Sequence, residues 1–527
     1  MPGGLDVNPG DPAAATGLLA AGRRFCYICD SMDDIRPERP PGGPGDLFDV
    51  IVVGGGVVGC AVLRELSRYD LRLLLLEKET DVAEGISKAN SGVIHAGFNV
   101  PAGTLKAKLN VEGLGRIYDL ARDLGVPHRR TGKLVVALAE SDFPRLEELM
   151  AQGGRNGTPD LAVIDAAGLR AIEPGVRGLR ALYSPRTGII SPYEFTIALA
   201  ESALRNGARI LTGAGVSGVS RGPGGFLLRT ARGSYSARRV VNSAGLFADD
   251  IAALAGSSLP RVYPFRGEYL IADRDSGTAL GTPVYPVPPK DDSFLGVHIT
   301  PTMEGNILLG PSSKYAGAKE ATETTAGVLE RLRAEACVLV PDLARFPFIH
   351  AYAGLRPKLV PPGGGGIADF LIRENPDLPG WIDCLGIESP GLTAAPAIAV
   401  MIVDMIGARR DLKLRPGFEP TLPAVRRFAH MKDGERESLV RADPASAEMV
   451  CRCEHVTRAE VLAALKNSIG VKTLDAIKRR TRCGMGRCQG GFCTPRIVDI
   501  LGADGVPAEG VTKRGPGSEM FFGRIRV

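Results

Sequence analysis

Apolar and polar positions between residues 48 and 79 follow a strand, turn, helix and strand pattern. The apolar run DVIVV predicts a buried strand, and LRLLLLE predicts a second one that ends at Glu77. Between them, apolar side chains recur every four residues from Val58 to Leu66, which predicts a helix. A G-x-G-x-x-G motif joins the first strand to this helix: Gly54, Gly56 and Gly59.

The glycine motif in this context predicts an adenine dinucleotide site. Glycines let the backbone approach a diphosphate at a helix N-terminus, where free N–H groups and the helix dipole favour anions. Glu77 lies 21 residues after Gly56, where a carboxylate can accept hydrogen bonds from ribose hydroxyls. The alternative interpretation is a structural tight turn.

A second G-x-G-x-x-G match, GAGVSG at residues 213–218, does not predict a second site. SRGPGG follows it closely, so no helix can begin there, and we expect strands and turns that lead into FLLRT and ARRVVN. A single dinucleotide site leaves two alternatives: the substrate meets a flavin directly, or NAD is the only cofactor.

Two later junctions favour FAD. Residues 238–256 have a strand, Ser243-Ala244-Gly245 and then a helix, and residues 381–406 have a strand, a Gly/Ser/Pro turn and an apolar helix that begins near Thr393. A flavin ring needs its own cradle far from the ADP end, and a helix N-terminus aimed at the ring would stabilise negative charge on its reduced form. Each junction alone is equally well explained as an ordinary turn between a strand and a helix.

Length and composition restrict the class of protein. A chain of 527 residues predicts two or three domains, and a net charge of +5 without a basic cluster interleaved with aromatics gives no case for nucleic acid. No apolar run reaches the length of a membrane span, and AAPAIAVMIVDMIGA (394–408) is interpreted as a buried helix. Residues 1–46 are rich in Gly, Pro, Ala and Asp, which predicts a disordered extension whose lone CYIC motif has no partner pair nearby.

Three stretches resemble one family of flavoenzymes. GISKANSGVIHAGFNVPAGTLKAKLNVEG (85–113), YAGLRP (352–357) and GIESPGLTAAPAIA (386–399) are similar to FAD-dependent dehydrogenases related to D-amino-acid oxidase. The resemblance is strongest to bacterial FAD-dependent glycerol-3-phosphate dehydrogenases with an iron–sulfur tail, and L-2-hydroxyglutarate dehydrogenases share the first stretch. The hydroxyglutarate pattern usually has a tyrosine soon after HAG, where this chain has Phe98-Asn99, which favours glycerol 3-phosphate.

The resemblance implies an α/β fold with a discontinuous Rossmann-like FAD-binding domain, an antiparallel-sheet substrate domain and a small helical C-terminal [2Fe-2S] domain. The expected FAD-binding segments are 47–130, 191–260 and 351–415. The expected substrate-domain segments are 131–190 and 261–350, in which GKLVVAL (132–138) predicts one strand and residues 294–312 predict two. A linker at 416–448 leads to the [2Fe-2S] domain and tail at 449–527.

The resemblance also implies the residues that contact FAD and substrate. The expected FAD contacts are Gly54, Gly56, Gly59, Glu77, Lys78, Asn90, Ser91, Gly92, Ala244, Gly245, Gly391, Leu392 and Thr393. His95 and His298 are candidate bases for the substrate proton, because the histidine pKa lies near working pH. Arg356 resembles the family's substrate-anion arginine, since a guanidinium can hold phosphate or carboxylate through two parallel hydrogen bonds. The alternatives are structural hydrogen bonding for the histidines, an ion pair for Arg356, and a solvated helix face for the nearby Lys106 and Lys108.

Five of the ten cysteines lie after residue 450. Cys451-x-Cys453 and Cys488-x4-Cys493, separated by 34 residues, resemble the [2Fe-2S] domain of the bacterioferritin-associated ferredoxin type, and such a cluster needs four thiolates. Zinc is the alternative, although zinc ribbons favour C-x2-C pairs. Cys483 falls outside this spacing and is the expected extra cysteine.

Local signals in this region predict short helices. Thr457 with Glu460 predicts a capping box for TRAEVLAALKN, and Thr494-Pro495 predicts the cap and first turn of PRIVDIL. The three cysteines elsewhere between residues 47 and 450 are expected to be small buried side chains: Cys60, Cys337 and Cys384.

Two-electron flavin chemistry beside a one-electron cluster predicts a dehydrogenase that delivers electrons to a separate acceptor. The expected substrate is a small anion, sn-glycerol 3-phosphate, and the acceptor is a quinone, an electron-transferring flavoprotein or a flavodoxin. The alternatives are an L-2-hydroxyglutarate dehydrogenase, an amine or imino-acid dehydrogenase subunit, and a non-catalytic electron-transfer subunit. The clustered thiols favour the cytoplasm, and companion subunits and peripheral association with the inner face of a membrane stay open.

Overall fold

The computed structural model describes residues 47–222, 224–274, 280–289 and 296–523. The predictions for residues 1–46 lie outside this part of the chain. The helices in the described ranges are α1 (Val57–Leu66), α2 (Leu105–Asp123), α3 (Phe143–Asn156), α4 (Ala166–Ile172), α5 (Pro192–Arg205), α6 (Ala248–Leu254), α7 (Ala326–Leu339), α8 (Gly391–Gly407), α9 (Asp433–Ala442), α10 (Arg458–Leu465), α11 (Leu474–Thr481) and α12 (Cys493–Ala503).

The strands in the same ranges are β1 (Leu47–Val53), β2 (Leu73–Leu76), β3 (Val93–Ile94), β4 (His128–Arg129), β5 (Leu134–Ala137), β6 (Ala162–Asp165), β7 (Arg180–Tyr183), β8 (Gly188–Ile190), β9 (Arg209–Leu211), β10 (Val216–Gly222), β11 (Gly225–Thr230), β12 (Gly233–Asn242), β13 (Tyr263–Ala272), β14 (Val284–Pro286), β15 (His298–Pro301), β16 (Ile307–Gly310), β17 (Lys314–Tyr315), β18 (Phe348–Lys358), β19 (Leu371–Glu374), β20 (Trp381–Leu385), β21 (Met449–Cys451) and β22 (Val456–Thr457).

The first sheet is built around β1. β1 pairs in parallel with β2 on one side and with β12 on the other, and β9 and β20 extend the parallel part. β10 and β11 form an antiparallel hairpin beside β12, so the second glycine match leads into strands as expected. Helix α8, the apolar segment expected to be buried, packs against α1 and α2 in the main core. The predicted α/β fold and its strand–helix–strand unit are confirmed.

The second sheet is largely antiparallel, in the order β17-β13-β16-β15-β14-β5-β7-β6, with β18 also paired to β13. It contains the strands predicted in GKLVVAL and in residues 294–312. The domain boundary expected after residue 350 falls inside β18, which pairs with β13 along its length. YAGLRP therefore belongs to the second sheet, because its backbone partners are in β13. A small third sheet joins β3, β8 and β4.

The C-terminal module packs α10, α11 and α12 with the β21–β22 hairpin around its own apolar core. The predicted capping box is present: Thr457 N–H donates to the Glu460 carboxylate at 2.8 Å, and Glu460 N–H donates to the Thr457 hydroxyl. The predicted start of the last helix was wrong, because α12 begins at Cys493 and Thr494 lies inside its first turn. Cys60 and Cys384 are buried as expected, whereas Cys337 is partly exposed.

Buried ion pairs join this module to the first sheet. Asp81, which follows β2, is 0% exposed and accepts hydrogen bonds from Arg479 at 2.8 Å and from Arg480 at 2.6 Å. Burial raises the pKa of Asp81, but the guanidinium groups of Arg480 and Arg479 outweigh it and hold the pKa below its ordinary value. The predicted linker carries α9, and its Arg427 pairs with Glu194 of α5 at 2.5 Å. Buried charge pairs thus hold the module and its linker against the rest of the protein.

Within the described ranges, no helix has both the length and the hydropathy that crossing a bilayer requires.

Replacing Asp81 with Asn should destabilise the contact between the module and the first sheet. Removing one partner of a buried pair typically costs about 3–5 kcal/mol, and Asp81→Asn leaves two buried guanidinium groups short of negative charge. We expect a lower melting temperature and faster proteolytic cleavage within 416–448. Because the pKa of Asp81 is lowered, the wild-type protein should lose this stabilisation only as the pH falls below about 4.

Asp119→Asn is the matched control, since Asp119 and Arg122 pair on the surface with side chains 67% and 66% exposed and exposed pairs contribute little. Equal melting temperatures and cleavage rates for the two variants would contradict the role of Asp81.

Candidate functional site

The glycine turn between β1 and α1 is closely packed on one side and open on the other. Gly54 has a φ of +104°, and a Cβ there would lie 2.6 Å from the carbonyl oxygen of Ser243. A Cβ on Gly59 would overlap the Gly54 carbonyl oxygen. A Cβ on Gly56 would meet only the hydroxyl oxygen of Ser87 within 4 Å. The open side at Gly56 is where a diphosphate could approach the N-terminus of α1.

Glu77 supports this turn from the end of β2. Its Oε2 accepts a hydrogen bond from Gly55 N–H at 2.5 Å, and its Oε1 accepts one from Glu79 N–H at 2.8 Å. Burial raises the pKa of the Glu77 carboxyl, and both hydrogen bonds oppose that rise. The carboxylate therefore orders the turn, and ribose recognition by Glu77 stays a prediction.

A cavity of about 170 Å³ extends from the glycine turn to the beginning of α8. Six of the predicted FAD contacts line it: Gly56, Asn90, Ser91, Gly245, Gly391 and Leu392. All three predicted substrate-side residues line it as well: His95, His298 and Arg356. A long ligand in this cavity would have one end at the N-terminus of α1 and the other at the N-terminus of α8, where the helix dipole favours negative charge. The chemistry of the lining therefore fits FAD.

The other seven predicted FAD contacts are not among the residues that line the cavity: Gly54, Gly59, Glu77, Lys78, Gly92, Ala244 and Thr393. Thr393 supports the wall, because its hydroxyl accepts a hydrogen bond from His95 N–H at 2.9 Å. Gly92 N–H donates to the side-chain oxygen of Asn90 at 2.8 Å. The Lys78 ammonium lies 4.0 Å from the centre of the Phe247 ring and is half exposed.

The three substrate-side candidates differ in their surroundings. Burial and then the charge of Lys133 lower the pKa of His95 to about 3, so its ring is neutral at working pH. His298, on β15, is 4% exposed and its ring stacks on that of Tyr285. Arg356 donates to the Ser312 carbonyl oxygen at 3.0 Å and to the Ser313 hydroxyl at 3.2 Å. Each side chain is thus held in the wall before any ligand binds.

Lys133 is a buried cation that the sequence interpretation missed. It precedes β5 in GKLVVAL and is 1% exposed, and its ammonium lies 4.4 Å and 4.2 Å from the ring centres of Phe98 and Tyr285. Among the residues that the structure describes, no carboxylate pairs with it, and burial lowers its pKa to about 7. The sequence signal for this buried cation was a lysine directly before an apolar strand, because such a side chain must either enter the interior or turn back to solvent.

The cysteines of the C-terminal module come together as two groups. The sulfur atoms of Cys451, Cys483 and Cys493 lie within 4.8 Å of one another, and all three residues are buried. The thiols of Cys453 and Cys488 lie beside each other, and Cys488 is exposed. Cys483, expected to be the extra cysteine, is therefore inside the thiol cluster. An all-thiol donor set fits a [2Fe-2S] cluster, and it leaves one more sulfur than four ligands require.

Comparison with known proteins gives two family matches. Residues 49–405 match the model of the FAD dependent oxidoreductase family, and residues 449–503 match the BFD-like [2Fe-2S] binding domain. Together they confirm both cofactor predictions, FAD and a [2Fe-2S] cluster.

Individual relatives point to two kinds of oxidation. A glycerol 3-phosphate dehydrogenase from Caloramator mitchellensis is 37% identical over 90% of this chain and 98% of its own length. The mitochondrial L-2-hydroxyglutarate dehydrogenase of Caenorhabditis elegans is 40% identical, over 53% of this chain and 67% of its own. The structure of dithionite-reduced L-alpha-glycerophosphate oxidase from Mycoplasma pneumoniae, with FAD bound, has a TM-score of 0.66 and 30% identity, and covers 72% of this chain and 99% of its own.

Replacing Lys133 with Met should make stability less dependent on pH. Between about pH 7 and 10 the unfolded chain carries a proton on Lys133 that the folded protein lacks, so this residue makes stability rise with pH by about 1.4 kcal/mol per unit. We therefore expect Lys133→Met to melt at a higher temperature than wild type at pH 7, with the difference shrinking towards pH 10. The pKa of His95 should rise as well, because a nearby cation is removed.

Thermal unfolding at a series of pH values measures the first effect, and NMR of isotope-labelled histidine measures the second. Lys108→Met is the control, since the Lys108 side chain is 68% exposed. Parallel melting profiles for Lys133→Met and wild type would contradict the buried, uncompensated charge.

Proposed function

Because the chain belongs to the FAD dependent oxidoreductase family and carries a BFD-like [2Fe-2S] domain, we propose that it oxidises sn-glycerol 3-phosphate to dihydroxyacetone phosphate and passes the electrons to a separate acceptor. The observation that carries the substrate is the relative named glycerol 3-phosphate dehydrogenase, which matches over 98% of its own length and 90% of this chain. The glycerophosphate oxidase structure supports the same substrate class.

When bound, FAD supplies the acceptor for the hydride that leaves the carbinol carbon, and the [2Fe-2S] cluster supplies a one-electron carrier. A ring nitrogen of His95 or His298 accepts the hydroxyl proton. The pKa of His95, about 3, keeps its ring unprotonated at working pH and makes it a weak base. Arg356 holds the substrate anion, and the fixed hydrogen bonds to Ser312 and Ser313 orient its guanidinium.

A second cavity supports electron transfer within the chain. It has a volume of about 290 Å³ and lies between the flavin side and the C-terminal module. Asn90 and Tyr352 line one side, and Arg482 and Met485, which flank Cys483, line the other. Arg482 is fixed by an ion pair with Glu304 of the second sheet at 3.2 Å. The flavin cavity and the cysteine module thus border one shared space.

We assign the cluster ligands as Cys451, Cys453, Cys488 and Cys493, on the C-x-C and C-x4-C spacing. Cys483 would then lie against the cluster without binding it. The external acceptor, whether a quinone, an electron-transferring flavoprotein or a flavodoxin, stays part of the proposal.

An L-2-hydroxyglutarate dehydrogenase is the second candidate, because several relatives carry that name, among them the human enzyme at 31% identity over 69% of this chain. These relatives match a smaller share of the chain than the glycerol 3-phosphate dehydrogenase does.

Anaerobic addition of sn-glycerol 3-phosphate should bleach the flavin absorbance of the purified protein and then produce the electron paramagnetic resonance signal of a reduced [2Fe-2S] cluster. The mirror-image ester, sn-glycerol 1-phosphate, has the same charge and is the control. Bleaching by L-2-hydroxyglutarate alone would move the substrate to the second candidate. A protein that holds both cofactors and is bleached by neither compound would contradict a dehydrogenase for either substrate.

Cysteine variants test the ligand assignment. Cys483→Ser should keep about two iron atoms per chain and the cluster signal, whereas Cys493→Ser should lose both, because a cluster that lacks one thiolate is poorly held. Iron analysis and paramagnetic resonance of the reduced proteins measure this. Loss of the cluster in Cys483→Ser, with retention in Cys488→Ser or Cys493→Ser, would show that Cys483 is a ligand instead.

A further inference from the structure

A small polar cavity of about 100 Å³ adjoins the central one. The two cavities share His95, Arg356 and Glu388, and the smaller one adds Lys106, Lys358 and Ser313. A single small molecule can therefore have one end beside His95 and the other end in the smaller cavity.

The charges around this smaller cavity do not balance. The alternative of a solvated helix face does not hold for Lys106, which is 4% exposed and whose ammonium pairs with Glu388 at 3.1 Å. Burial lowers the pKa of Lys358; Glu388 opposes this, and the charges of Arg356 and Lys106 lower the pKa further. Among the described residues that line the cavity, three cations thus face one carboxylate.

A carboxylate near the start of α2, that of Asp369, does not offset this excess. Asp369 accepts backbone hydrogen bonds from Leu105 at 2.7 Å and from Lys106 and Phe370 at 2.8 Å, so it caps the start of α2 and does not line the cavity. Arg356 also keeps a buried Nε that has no hydrogen-bond partner among the described residues. A buried donor without a partner is costly, and it is relieved when a ligand oxygen accepts its hydrogen bond.

We propose that Lys106, Lys358 and Arg356 form a subsite for the phosphate group of a small phosphate monoester. This proposal rests on the proposed function, and the subsite is the part of the site that selects the substrate. A phosphate monoester carries close to two negative charges at pH 7 and three acceptor oxygens, which match the surplus of two positive charges and the available donors. A carboxylate carries one charge and two oxygens. The subsite therefore favours glycerol 3-phosphate over a hydroxy acid of similar size.

Glu388 has a distinct part in this arrangement. It holds the Lys106 ammonium at the cavity wall without a ligand and lines both cavities. Phosphate oxygens would share Lys106 with Glu388, while Lys358 and the Arg356 Nε bind the ligand directly. Lys358 is thus the residue whose loss should weaken phosphate binding with least disturbance of the wall.

Lys358→Met tests the subsite in the FAD-loaded full chain. Anaerobic flavin reduction at rising sn-glycerol 3-phosphate should give a dissociation constant about 10- to 100-fold higher than wild type, because one charged hydrogen bond is lost, while the limiting rate changes less. Lys358→Arg should recover most of the affinity. Lys108→Met is the control and should match wild type, because Lys108 lies on the same helix as Lys106 but its side chain is exposed. Equal dissociation constants for Lys358→Met and wild type would overturn the subsite.

Inorganic phosphate separates the subsite from the proposed function. Phosphate should shift the flavin absorbance spectrum of wild type and of Lys108→Met at similar concentrations. Lys358→Met should need about 10-fold more phosphate for the same shift. The flavin content of each protein is checked first. If glycerol 3-phosphate reduces no variant while phosphate still distinguishes them, the proposed function fails and the subsite holds. The same phosphate response in Lys358→Met and wild type overturns the subsite whatever the substrate is.

Discussion

Close backbone contact between distant segments is the constraint on which the site depends. Gly54 and Gly59 let β1 and α1 approach the end of β12 at Ser243, where a Cβ on either glycine would collide. Gly113 likewise lets α8 approach α2 closely, because a Cβ at this position would overlap the Thr393 carbonyl oxygen. Thr393 in turn holds the backbone of His95, 298 residues away along the chain. These contacts fix the positions of the two helix N-termini between which the cavity lies.

Local patterns were sufficient to predict many of the elements, whereas the family resemblance supplied most of the candidate cofactor contacts. The glycine spacing, the apolar run of α8 and the Thr457–Glu460 capping box each depend on residues close in sequence, so their geometry follows from short-range physics. The start of α12 was missed by a residue or two, because its beginning is set by the packing of Cys493 in the module core rather than by a cap at Thr494.

Side chains that depend on distant partners could not be predicted in this way. Asp81 is an ordinary surface acid by sequence, and only the fold brings Arg479 and Arg480 onto it. Cys483 lies outside the expected spacing but inside the thiol cluster, since the fold brings its sulfur atom beside those of Cys451 and Cys493. Lys133 and Lys106 belong to the same group, because a lysine beside an apolar run marks a candidate for burial, but only the fold decides whether its ammonium is buried or returns to solvent.

Residues 81–91 connect the two halves of the proposed reaction. Glu84 pairs with Arg479 of the C-terminal module and with Lys88, and Asn90 lines both the flavin cavity and the cavity that leads towards the cysteines. The same short segment therefore forms a wall of the flavin site and an anchor for the module. A buried ion pair is costly to separate, so the module cannot move away from the flavin side without disturbing that wall. A rigid arrangement of this kind suits a relay better than a hinged one, because two successive one-electron transfers must cross the same gap.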